Sequence, residues 1–146
     1  MGEIKLNHIE EAKSAALKFL KEVTSIDSEY HFCFIVVVLI QLVNCLIYKV
    51  DGDIAKLSLK DLKGLSRSRE LKELFKLRNT ICHLYGTEYY TEALKEVRNA
   101  FEGDLYSEVL LFIKDVVASV EDGTFISKYG VPPKKMSNLN SLLNRG

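Results

Sequence analysis

Between Arg78 and Tyr85 the chain reads Arg-Asn-Thr-Ile-Cys-His-Leu-Tyr, the stretch whose residue types and spacing could do chemistry. A guanidinium binds a phosphate through two parallel N–H bonds and offsets charge that develops in a phosphoryl transition state. An imidazole that titrates near neutrality takes a proton from an attacking 2′-hydroxyl or gives one to a leaving 5′-oxygen. Arg78 and His83 therefore supply what metal-free RNA cleavage needs as catalytic groups. Asn79 and Tyr85 add hydrogen-bonding groups able to orient the phosphate or the imidazole. No metal-ligand spacing, phosphate-binding glycine loop or serine nucleophile motif occurs, so the expectation is chemistry without metal or cofactor.

The element that carries these residues is an amphipathic helix. Advancing about 100° per residue from Leu71 puts Leu71, Leu74, Phe75, Cys82 and Tyr85 within one apolar stripe, with Arg78 in its middle. A charge among core positions must find a partner or an anion, because leaving it unpaired costs several kcal/mol or more. His83 lies about 140° round from Arg78 but only about 40° from Asn79. The two side chains converge if the helix bends or frays before His83, or if two copies of the helix meet across a two-fold axis. The competing structural reading pairs Arg78 with Glu29, Asp51 or another carboxylate and leaves His83 as a histidine near a helix C-terminus. His8 and His31 show no partner pattern and read as structural.

The surrounding pattern is helical throughout. Ile9, Ala12, Ala16, Phe19, Leu20 and Val23 predict a first helix from about Asn7 to Val23. Ser25, Asp27 and Ser28 offer N-caps for a long apolar helix ending near Val50. Its Ile35 to Val38 run favours strand locally, but length and the lack of an internal turn signal favour helix. A less regular connection follows, with a short helix around Leu57 to Leu62. Ser66 or Ser68 then caps the motif helix and Gly86 ends it. Thr87 or Thr91 starts a helix that stops at Gly103, and Asp104 caps another that ends at Gly123. The expected architecture is all-α, an up-and-down bundle of about five helices in residues 1–123. Residues 124–146 read as an extended, partly ordered arm.

Twenty basic residues balance twenty acidic ones in 146, so any nucleic-acid footprint must be local. One exists. From Lys60 to Arg78 seven basic residues face three acidic ones, with Arg67, Arg69, Lys72 and Lys76 as candidate RNA contacts. Cys33, Cys45 and Cys82 lack metal or redox spacing and read as reduced, buried small hydrophobes. With no signal-peptide pattern at the N-terminus, the expected location is cytoplasmic. Phe32 to Tyr48 is apolar apart from Gln41 and Asn44 and sits at the short edge of membrane-span length. Without cationic anchors at its flanks it reads instead as a helix buried on one face in its own bundle and on another against a second subunit. Asn44, alone in that run, needs hydrogen-bond partners that the motif residues or a purely structural contact would supply.

Arg78, Asn79, His83 and Tyr85 resemble the R-x4-H-x-Y signature of the HEPN superfamily, and the order of helices from about Asn7 to Val120 is compatible with it. The resemblance implies a helical bundle that dimerises through the motif helices and, in active members, a metal-independent endoribonuclease. By matching position, Arg78 is the phosphate-binding arginine, His83 the catalytic histidine and Asn79 its support. Tyr85 matches the tyrosine that receives AMP in toxin members paired with a minimal nucleotidyltransferase antitoxin. The leading expectation is thus a homodimeric ribonuclease of toxin or host-defence type. The alternatives are a noncatalytic HEPN-like module that binds RNA, a nucleotide or a protein partner, and a structural or membrane-associated helical protein.

Overall fold

Where the chain was expected to turn, it carries capping chemistry. Ser68 Oγ accepts the Leu71 amide (3.1 Å) and Asp104 Oδ2 accepts the Ser107 amide (3.1 Å), each satisfying a donor that a helix start leaves free. Ser28 Oγ accepts the His31 amide (3.1 Å), while His31 Nδ1 accepts the Asp27 amide (3.2 Å), which gives this structural histidine a capping role. Gly86, at φ +83°, lets the chain leave the motif helix through a left-handed conformation open chiefly to glycine.

The structure, a computed structural model, describes residues 2–47 and 68–129. Among them are six helices and no strand: α1 (Gly2–Glu22), α2 (Glu29–Ile47), α3 (Arg69–Leu84), α4 (Glu88–Ala100), α5 (Leu105–Glu121) and the short α6 (Phe125–Tyr129). The all-α expectation holds. α1 begins earlier than its apolar periodicity indicated. The short helix expected around Leu57 to Leu62, the end of α2 near Val50 and Arg67 lie outside the described residues.

α1 packs on α2, α2 on α3 and α3 on α4, while α5 returns to α1 and carries α6. α2 supplies the centre of the core: Phe32, Ile35, Val36, Leu39, Ile40, Leu42 and Val43 are all fully buried. Each such side chain contributes roughly 1.5–3 kcal/mol relative to exposure, which outweighs the few tenths that β-branched residues cost a helix. By length and composition Glu29–Leu46 could cross a membrane, yet 61% of it is buried within the bundle. Gln41 Nε2 donates to the Ala12 carbonyl of α1 (3.0 Å). Lys114 of α5 donates to the Leu20 and Lys21 carbonyls (both 2.9 Å), capping the last turn of α1, and Lys21 pairs with Glu121 nearby (2.8 Å).

Two expectations need revision. The core does not stop at Gly123, because Phe125 and Tyr129 are buried and Tyr129 donates a short hydrogen bond to Asp115; residues 130–146 of the arm lie outside the described residues. Cys33 and Cys45 are buried as expected, but Cys82 is exposed. By periodicity Cys82 continues the side that is buried earlier in its helix, but its exposure shows that the described bundle does not cover that position.

Candidate functional site

α3 presents two rows of side chains with different environments. On the core side, Leu71, Leu74, Phe75 and Leu77 are fully buried. Arg78 continues that side, half-buried, with Cζ 5.1 Å from the centroid of the Phe75 ring. Among the described residues this cation–π contact is the interaction that holds its guanidinium. Its Nε is buried without a hydrogen-bond partner, and among the described residues no carboxylate pairs with it. Glu29, one partner that the structural reading offered, instead accepts the Tyr90 hydroxyl (3.0 Å), and Asp51, the other, lies outside the described residues. A guanidinium desolvated on one side and unmatched in charge is set to take an anion.

The second row is polar. Arg69, Lys72, Lys76, Asn79 and His83 recur at three- and four-residue intervals, so they follow one another along one side of the helix. Arg69 and His83 are exposed, while Lys72, Lys76 and Asn79 are half-buried. Lys76 is partly engaged, 3.3 Å from Glu73. The helix runs without a break to Leu84, so fraying before His83 does not occur. Arg78 therefore stays with the core-side row and His83 with the basic row. One copy of the chain does not bring them onto the same side.

Tyr85 lies just past the helix, with backbone angles of φ −56° and ψ 134°. Its ring stacks on Tyr90 at 4.9 Å between centroids and 8° between planes, and on its other neighbour, Tyr30, at 6.5 Å and 24°. The base of this column is fixed by hydrogen bonds. Tyr90 Oη donates to Glu29 Oε1, and Cys33 Sγ lies 3.3 Å from the same phenol oxygen. Burial, then the bonds to Cys33 and Glu29, push the Tyr90 phenol far above its ordinary value. Partial burial and the nearby Tyr30 and Glu29 raise that of Tyr85 as well.

Asn44 stands apart. It is buried on α2, and its Oδ1 has no hydrogen-bond partner, from the motif residues or elsewhere. It follows Tyr30 by about four helical turns, ~21 Å along the axis, whereas Tyr30 is the α2 residue that touches Tyr85. The sequence offers Glu29 only as a partner for Arg78 and Cys33 only as a buried thiol, and it marks neither Tyr30 nor Tyr90. Glu29, Tyr30 and Cys33 come from α2, far from the motif in sequence, whereas Tyr90 follows Tyr85 by five residues at the start of α4. Among the described residues no three His, Cys, Asp or Glu side chains gather as a metal ion would require. Compared with protein-family models, curated proteins and solved structures, the chain finds no match.

Proposed function

We propose that this chain is a metal-independent endoribonuclease of toxin or host-defence type, a HEPN-like bundle that acts in the cytoplasm as a homodimer. The observation that carries the reading is Arg78: a half-buried guanidinium with no carboxylate partner among the described residues, on the same helix as an exposed histidine. Because an unbroken helix keeps Arg78 and His83 about 140° apart, convergence requires a second copy of α3. In such a cleft, one neutral His83 accepts the 2′-hydroxyl proton as that oxygen attacks phosphorus. The protonated His83 of the other copy donates to the 5′-oxygen as its bond to phosphorus breaks, leaving a cyclic phosphate and a 5′-hydroxyl. Arg78 holds the phosphate, Asn79 orients a neighbour, and Lys72, Lys76, Arg69 and Arg67 supply the electrostatic footprint for RNA.

In this reading Tyr85 is the acceptor for AMP from a nucleotidyltransferase antitoxin. The added bulk and negative charge would block the approach of RNA to the neighbouring motif. The second reading, a binding module without catalysis, is favoured by the separation of Arg78 and His83 within one chain. Incubating wild type and His83→Ala with total RNA and tRNA in EDTA decides between them. Cleavage by wild type alone supports the nuclease. RNA binding by both without cleavage by either supports the module.

A further inference from the structure

The tyrosine column has an open end. Tyr90 is buried at its base, Tyr85 in the middle is 42% exposed, and Tyr30 at the end is 77% exposed. One helical turn beyond Tyr30, Phe34 is 55% exposed and meets Phe19 edge to face at 5.2 Å. Near-parallel rings fixed at one end and free at the other form a platform that another planar ring extends without rearrangement.

We propose that the Tyr30–Tyr85 platform is a base-binding subsite that stacks an unpaired nucleobase of the RNA, making single-stranded or looped RNA the substrate class. This assignment rests on the RNA-cleaving reading above and goes beyond it by naming where the base goes. Three observations favour a nucleobase. Tyr85 follows Arg78, which pairs with no carboxylate among the described residues, by seven residues, about two turns or ~10 Å along the helix, so a phosphate on Arg78 and a base on the platform fit within a short stretch of RNA. Glu29 at the side of the column disfavours phosphate there while leaving the neutral ring faces open, which separates the base site from the phosphate site. Stacking also needs an exposed base face, which a paired duplex does not offer. Because every base has a π-face, the subsite discriminates unpaired from paired RNA more than one base from another.

The chain has no tryptophan, so Tyr30→Trp places a single indole at the end of the column. In a His83→Ala background that keeps RNA intact, a short oligoadenylate is expected to quench that indole, and an abasic ribose-phosphate strand of equal length to leave it bright. Tyr30→Ala should weaken oligoadenylate binding by ~10-fold, and Tyr30→Phe should retain it. With His83 present, Tyr30→Ala should raise KM for single-stranded RNA by about the same factor with kcat unchanged. Unaltered KM and equal affinity for the abasic strand overturn the base site while leaving the nuclease standing. Failure of wild type to bind or cleave any RNA removes both. If Tyr30→Ala instead turns a sedimenting dimer into a monomer without changing RNA affinity, the face belongs to a second copy and the subsite is refuted.

Discussion

The two halves of α3 share one periodicity and differ in surroundings. From Leu71 to Leu77 the core-side positions are sealed against the bundle, whereas from Arg78 to Tyr85 the same side opens, ending in an exposed Cys82 and a half-open tyrosine stack. Nothing in the apolar spacing marks the change. The contrast shows that a helical stripe specifies direction, while cover depends on whether a neighbour extends that far. Chemistry needs the open half, and rigidity comes from the sealed one.

The sharpest way to break this contrast is Phe75→Ala, which removes both a buried ring and the surface beneath the Arg78 guanidinium. Urea unfolding should show a loss of about 3–5 kcal/mol; a loss under ~1 kcal/mol would mean that the sealed half is not sealed. In the open half, His83→Ala should lower RNA cleavage by roughly 10²- to 10⁴-fold in a gel assay. Its thermal midpoint should stay close to wild type, since the side chain is exposed and makes no hydrogen bond or ion pair among the described residues. A large drop in midpoint would assign His83 to the scaffold.

Tyr90→Phe probes the joint beneath the open half. Losing its hydroxyl bond to Glu29 should cost about 1–2 kcal/mol. The phenol is raised in the fold, so its contribution is complete below its ordinary value near 10 and is lost as pH rises above it. Stability measured against pH should therefore decline on the alkaline side in wild type and decline less in the variant. The smallest effect concerns α5 and α6, away from both halves. Hydrogen bonds from Lys128 and then Tyr129 hold the Asp115 carboxyl below the usual range. Its contribution is present above the ordinary carboxylate value near 4 and is lost as pH falls below it. Asp115→Asn should flatten that acid limb in a pH series of melting curves.

What the sequence made legible follows the range of the interactions involved. Ser68, Asp104, Gly86 and Gly123 act within a few residues of themselves, so the ends of α3 and α5 could be read locally. The Ile35 to Val38 run was assigned to a helix because length outweighs a weak propensity. Arg78 stands out in the sequence because a charge on an apolar stripe breaks the pattern. The column of Tyr30, Tyr85 and Tyr90 joins rings from three segments, and its partners Glu29 and Cys33 lie more than fifty positions from Tyr90. No local rule brings those together. Phe125 and Tyr129 were missed for a related reason: a five-residue helix is too short for periodicity to reveal that it packs on Asp115 and Phe112.

The lysine that caps α1 also bears on how long the fold lasts. Lys114 reaches carbonyls more than ninety positions earlier in the chain, and bringing such distant segments together carries a loop-closure cost that grows with the logarithm of their separation. If that cost defers the contact until after the transition state, Lys114→Met should speed unfolding and leave the folding rate near wild type in stopped-flow urea jumps. Bonds made that late barely alter how fast a chain folds; they govern how slowly it comes apart. On that outcome the joint between α1 and α5 is a timer, setting the lifetime of the native state.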